Sequence, residues 1–253
     1  MQRHEKHVIL GVIPARLNST RLPGKVLRQI CGQPMLYRVF VGAGRSELLD
    51  DLVVATDSIE VHDYCKQNRM KVLMTSPRHA SGTDRVHEVM QTLSADIYVN
   101  IQGDEPMIRP EHLQALLQPF LESASVEVTT LKIPMSVEEA HDPNCVKVVT
   151  DTDGKALYFS RFAIPYNRDQ SQDVTYFKHL GIYAYTRSAL DRFHQLPASR
   201  LEQAEGLEQL RFLEHGTPIH VSETPYDTIG VDTEEDLLRV ERYFQHLDPS
   251  ERF

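Results

Sequence analysis

The sequence predicts a doubly wound α/β fold, a mostly parallel sheet with a smaller antiparallel insertion. Three observations predict it. Apolar, β-prone runs recur with amphipathic stretches between them, the alternation expected of βαβ units. The first such run, "HVILGVIPA", ends directly in a basic loop punctuated by glycine and proline, "RLNSTRLPGK", as a strand does at the carboxyl edge of an open sheet. After Cys145 the pattern changes to two β-prone runs around Asp153-Gly154, the composition of a tight hairpin turn.

In chain order, the strand runs are "HVILGVIPA", "DLVVATD", "KVLMT" and "DIYVNIQGD", with amphipathic stretches such as "TDRVHEVMQTL" in the gaps. Asp57 with Glu60 three residues on is a capping-box pattern for one helix start, and Pro110 suits the first turn of "EHLQALLQPFL". The insertion is expected over about residues 146–190, built from "VKVVTDTDGKALYFSR" and "YFKHLGIYAYT". Helices follow in "SALDRFHQL" and "RLEQAEGLEQLRFLEHG", the second capped by Gly216. A last strand and the helix "TEEDLLRVERYFQHL" complete the pattern. No fixed-period repeat or low-complexity linker interrupts it, so residues 1–253 read as a single domain carrying the insertion.

The chain has 253 residues and a net charge of −9, which argues against broad binding to nucleic acid or to an anionic membrane surface. No apolar run approaches the roughly 20 residues of a membrane helix. The opening "MQRHEKHVIL" enters a strand without the apolar stretch and cleavage site of a secretory signal, so a cytoplasmic protein is expected. Cys31, Cys65 and Cys145 are far apart, odd in number and in no CxxC pair, which is neither a disulfide framework nor a zinc site. "HEKH" at the start lacks further ligands for a metal.

Against that acidic background, Arg16, Ser19, Thr20, Arg21, Gly24 and Lys25 form a local basic loop at the first strand end. Backbone amides and cations there suit a phosphate group, while a solvated basic loop explains the composition equally well. It is not a Walker loop, because Gly24-Lys25 is followed by Val26 and the glycine spacing differs. "YVNIQGDEP" sets Gln102, Gly103, Asp104 and Glu105 at another strand end. Magnesium takes one or two carboxylates plus substrate phosphates, which gives Asp104 a role besides that of a turn residue. Asp232 in "IGVDTEEDL" reads first as a helix N-cap with Glu235, and Ser81 in "SGTDR" as a helix start. Arg161, Lys178, His179, Gln209 and Arg211 are polar residues among apolar ones, and Glu202, Glu205 and Glu208 fit one solvated helix face.

Taken together, "IPARLNSTRLPGK", "VATD", "SGTDR", "NIQGDEPMI", "VKVV", "ALYFSR", "IPY", "KHLGIYAY", "LEQLR" and "GVDTEEDL" stand in the order and approximate spacing of the 3-deoxy-manno-octulosonate cytidylyltransferases. The chain resembles that family over nearly its whole length, and the set of motifs is specific. The resemblance implies a nucleotide-binding sheet, CTP and an acidic eight-carbon sugar as substrates, Mg2+ as cofactor and a homodimer formed through the insertion. It implies CTP contacts from Arg16, Ser19, Arg21, Lys25, Ser81, Gly82 and Gln102, and magnesium on Asp104 and Asp232. The sugar acid falls to Gln102, Arg161, His179, Tyr183, Glu208 and Gln209, with a cationic Arg161 suited to a carboxylate. Lys25, Asp104 and Asp232 are then the catalytic set.

Two stretches depart from the family pattern, Leu17-Asn18 in the first loop and "YDTIGVD" before Asp232. The implied reaction is attack of the sugar's anomeric hydroxyl on the α-phosphorus of CTP, releasing pyrophosphate. Alternatives are a cytidylyltransferase for 8-amino-Kdo or a sialic acid, a glycosyltransferase that consumes a nucleotide-sugar, and a non-catalytic nucleotide-binding protein.

Overall fold

The computed structural model describes residues 7–17, 21–169 and 174–247. The chain divides into two compact units, Met1–Gln114 with Thr228–Phe253, and Ala115–Asp227.

The first unit is built on β1 (Ile9–Ala15), all seven residues of which are buried. A two-stranded ribbon, β2 (Gln29–Ile30) and β3 (Gln33–Pro34), leads into α1 (Met35–Gly44). Then β4 (Asp51–Thr56), α2 (Ile59–Gln67), β5 (Val72–Met74), α3 (Gly82–Thr92) and β6 (Ile97–Asn100) alternate as the sequence pattern requires. Their sheet runs β6-β1-β4-β5, every pair parallel, with Val12 between Val53 and Asn100. β1 and β6 are buried throughout and β4 from Leu52 on, as in strands covered on both faces, which is why these runs are continuously apolar rather than alternating, while the edge strand β5 is only half-buried. Pro110 opens α4 (Pro110–Glu122), which carries the boundary between the units.

The second unit contains β7 (Val128–Met135), the short α5 (Val137–Ala140), β8 (Lys147–Thr150), β9 (Ala156–Ser160) and β10 (Tyr176–Thr186). Antiparallel pairs join β9 to β8, β8 to β10 and β10 to β7, with Asp153-Gly154 in the β8–β9 turn. After α6 (Arg187–Gln195), the run expected to be one helix is two, α7 (Arg200–Glu205) and α8 (Leu210–Glu214). Gly206 breaks it: at φ 63° it takes the left-handed cap that only glycine adopts cheaply, ending α7 ten residues before Gly216. The unit closes with β11 (His220–Glu223), parallel to β7.

The chain then returns to the first unit as α9 (Glu234–His246). Leu237, Val240 and Phe244 on one face of α9 pack with Leu22, Ile30, Met35, Met107 and Val231 in one buried cluster. This helix therefore anchors the basic loop and the segment before Asp232 to the same core. The start of α2 differs from the expectation by one residue: Ser58 is the cap and accepts from the Val61 amide, while Asp57 pairs with the buried Arg85. The described cysteines are all free thiols. No helix among the described residues is long and apolar enough to cross a membrane.

Candidate active site

Three loops at the carboxyl edge of the first unit's sheet converge on one ammonium group. Lys25 lies in a single 3-10 turn, Lys25–Leu27, capped by Gly24, whose amide donates to Leu17 O in the segment just after β1 at 3.1 Å. Its Nζ donates to Asp104 Oδ2 and, at 2.9 Å, to Asp232 Oδ1. The Asp104 and Asp232 segments are themselves joined by the Val231 amide, which donates to Asp104 O at 2.9 Å. Arg21 completes the group with a 2.7 Å hydrogen bond from Nη2 to Asp232 Oδ2.

Gly103 lets the Asp104 loop reach this position. A Cβ there would stand 2.7 Å from Pro14 O, a backbone atom with little freedom to move. The expected cap role of Asp232 is corrected by one residue. Thr233 is the N-cap of α9 and forms the capping box with Asp236, not Glu235. The Asp236 carboxylate also accepts from the Asp232 amide at 3.2 Å, so the cap fixes the Asp232 backbone while its side chain is directed to Lys25 and Arg21. Arg28 adds a clamp, its Nη2 lying 2.6 and 2.9 Å from the two oxygens of Glu234 in the first turn of α9.

Burial by itself lowers the Lys25 pKa, but Asp104 and Asp232 outweigh it and the net shift is upward. Burial raises the Asp232 pKa, and Lys25 with Arg21 reverse that, leaving it below the usual carboxylate range. Lys25 and Asp232 are therefore both charged at neutral pH. Among the described residues no group of three or more His, Cys, Asp or Glu forms a closed metal cage. The two convergent carboxylates of Asp104 and Asp232 are hard oxygen donors of the kind that could hold a divalent cation whose other ligands come from substrate phosphates and water.

The remaining expected nucleotide-side residues form a second group in this unit. Ser81 caps α3 through a capping box with Asp84, and Gly82 follows it. A Cβ on Gly82 would lie 3.5 Å from both Nε2 and Oε1 of Gln102, so glycine leaves the Gln102 amide uncovered. Gln102 Nε2 donates to the buried Asn100 Oδ1 at 2.9 Å, which turns Oε1 away from Asn100. Arg16 directly follows β1 and is half-buried. Ser19 lies outside the described residues, as do Asn18 of the departure at Leu17-Asn18 and His4 of the opening His pair.

Apart from Gln102, the residues expected at the sugar acid lie in the second unit. His179 and Tyr183 share β10, with Tyr183 Oη 2.9 Å from His179 Nε2 and Thr130 Oγ1 at 3.1 Å from the same nitrogen. Burial pushes the His179 imidazole down to about 3, so it is a neutral hydrogen-bonding group. Burial raises the Tyr183 phenol, which stays protonated. Stacked rings run from Tyr183 to Tyr185 at 5.7 Å and on to Phe212 of α8 at 5.9 Å. Gln209, at the start of α8, is buried, and its Nε2 has no hydrogen-bond partner among the described residues. Glu208 beside it is half-buried.

Arg161 follows β9 and is held by carbonyls. Its Nε donates to Glu205 O at 2.8 Å and its Nη1 to Pro143 O at 3.0 Å. The glutamates read as one solvated face are not one. Glu202 is buried against Arg211 and caps α7, while Glu205 accepts from Ser160 Oγ and the Arg161 amide. Sequence reasoning also passed over Lys147, fully buried in β8, although a lysine inside "VKVV" is itself the signal of a buried charge.

The cytidylyltransferase family profile matches residues 10–222. A 3-deoxy-manno-octulosonate cytidylyltransferase of Koribacter versatilis is 58% identical, over 92% of this chain and 88% of its own length. One from Acidobacterium capsulatum is 57% identical, over 92% of this chain and 95% of its own. A solved CMP:2-keto-3-deoxy-manno-octonic acid synthetase complexed with CTP superposes with a TM-score of 0.91 at 45% identity, covering 95% of this chain and all of that one. Identity of this extent, carried by the same fold, makes the chain a member of the 3-deoxy-manno-octulosonate cytidylyltransferases, a family of nucleotidyltransferases.

Proposed function

We propose that this protein couples CTP to 3-deoxy-manno-octulosonate (Kdo), forming CMP-Kdo and pyrophosphate for lipopolysaccharide or capsule synthesis. The observation that carries the reading is the Lys25 ammonium held between Asp104 and Asp232 at a sheet edge, in a chain so similar to named CMP-Kdo-forming enzymes. The anomeric hydroxyl forms the new bond to the α-phosphorus, the α–β phosphoanhydride bond breaks, and pyrophosphate leaves as the hydroxyl proton is lost.

Arg16, Arg21 and Lys25 bind the triphosphate and offset the charge that grows on the leaving pyrophosphate. To reach phosphate, Lys25 gives up its carboxylate partners, which are then available to a cation. Cytidylyltransferases of this type use a divalent metal; Asp104 and Asp232 would hold it here as Mg2+, which would supply neutralisation of phosphate charge and a lower pKa for the attacking hydroxyl. Ser81, Gly82 and Gln102 bind the nucleoside side, with Ser19 in the phosphate loop. Arg161 takes the sugar carboxylate, and neutral His179, Tyr183, Glu208 and Gln209 bind hydroxyls, Gln209 through the unpaired Nε2 noted above. Gln102 serves both substrates.

The protein acts in the cytoplasm, a reducing compartment that suits three free thiols. It works as a homodimer, a state supported by Leu157, Phe162 and Tyr166 standing 62%, 83% and 86% exposed on β9 and the segment after it. Light scattering checks the dimer. The function is tested by incubating CTP and Mg2+ with Kdo, 8-amino-Kdo or a sialic acid and identifying products by mass. CMP-Kdo with stoichiometric pyrophosphate is expected. Product from only another sugar acid would reassign the substrate, and CTP binding without product would refute the reaction.

A further inference from the structure

Lys147 is a cation with no route to water. Its side chain is fully buried, and Nζ donates to three backbone carbonyls, Asp142 O at 2.9 Å, Cys145 O at 2.5 Å and Arg161 O at 2.6 Å. Replacing those bonds with an apolar side chain would strand three carbonyls, so the site is built for an ammonium. Two of the three carbonyls belong to the turn at 142–145, and the third belongs to Arg161 itself. The same turn supplies Pro143 O, which accepts from Arg161 Nη1. Lys147 thus bolts the turn and the Arg161 backbone together, and the turn then fixes the Arg161 side chain.

Glu205 completes the hold from the other side. Its carboxylate takes the Arg161 amide at 2.9 Å and Ser160 Oγ at 2.8 Å, and its carbonyl takes Arg161 Nε at 2.8 Å. With Nε and Nη1 both bonded to backbone carbonyls, the guanidinium plane is held, and among the described residues Nη2 is the edge left to meet a ligand. A planar fork held this way recognises a carboxylate with little entropy left to lose.

We propose that Lys147 and Glu205 are positioning residues that together hold the Arg161 guanidinium for the carboxylate of the sugar acid. The inference rests on the function proposed above. It extends that reading to two residues that touch neither substrate.

The test compares wild-type protein with Lys147→Met and Glu205→Gln, measuring KM for CTP, KM for the sugar acid, kcat and Tm. A misplacement of about 1 Å at a recognition group costs on the order of 100-fold, so KM for the sugar acid should rise about 10- to 100-fold in each variant while KM for CTP stays within about twofold. In an Arg161→Ala background the same changes should add less than about twofold, because residues acting through one group are not additive. Lys147→Arg, which keeps the charge and the donors, should recover part of the loss. Should Lys147→Met fail to fold, Glu205→Gln decides the matter. Unchanged sugar-acid KM in the folded variants, or equal losses for both substrates, would overturn the positioning role alone. A wild-type protein that makes no CMP-sugar would overturn the function and this inference with it.

Discussion

Lys25 and Asp232 stand 207 positions apart in the chain, and a 2.9 Å hydrogen bond joins them. The same ammonium holds Asp104, so one cation keeps two carboxylates together that would otherwise repel each other. The clamp of Arg28 on Glu234 and the Thr233 cap keep Asp232 in reach, which makes α9 part of the site rather than a terminal ornament.

Removing either carboxylate should stop the chemistry and spare the fold. Asp104→Ala and Asp232→Ala should each lower pyrophosphate release by about 100- to 1000-fold or more, the scale of losing one transition-state contact. The Asp232 side chain is 44% exposed, so its loss should leave Tm nearly unchanged. Release near the wild-type rate from either variant would remove that residue from the reaction.

Gly103→Ala tests the approach of the Asp104 loop to β1. The added Cβ meets Pro14 O at 2.7 Å, and neither backbone gives way freely, so the substitution should cost about 1–3 kcal/mol in urea unfolding. Turnover should fall more than stability does, because the loop that moves carries Asp104. A variant with unchanged stability and rate would show that the close approach is immaterial.

His179 should impose a pH dependence on stability. The imidazole titrates near 6.5 when exposed and is pushed down to about 3 by burial. Between those values the unfolded chain binds a proton that the folded chain does not, so stability rises with pH across this window and falls as the medium is acidified. The slope from this one group is about 1.4 kcal/mol per pH unit. Urea midpoints at pH 7, 6 and 5 should show it, and His179→Gln should flatten the profile. An equally steep profile in the variant would assign the dependence to other groups.

Much of the architecture was written in local pattern. β10 coincides with the run "YFKHLGIYAYT", Pro110 begins α4, and Ser81 caps α3, because periodicity and caps act over a few residues and need no distant partner. Cap assignments slipped by one residue at Asp57 and Asp232 for the same reason: neighbouring Asp, Ser and Thr all satisfy the local rule. Only the rest of the fold determines which of them is drawn elsewhere, Asp57 to Arg85 and Asp232 to Lys25.

From residue types and their spacing alone came the alternation of strand and helix, the basic loop at the first strand end, and the carboxylate of Asp104 at another. Tertiary structure decided which charges meet. Glu205 fits a solvated helix face by composition, yet the break at Gly206 and the packing of α7 bring it to Arg161. Lys147 is tolerable inside an apolar strand only because three carbonyls, two from the turn before β8 and one from Arg161 after β9, fold around its ammonium. Burial and ion pairing are sums over neighbours far apart in the chain, so no window of sequence contains them, whereas helix and strand periods are complete within one.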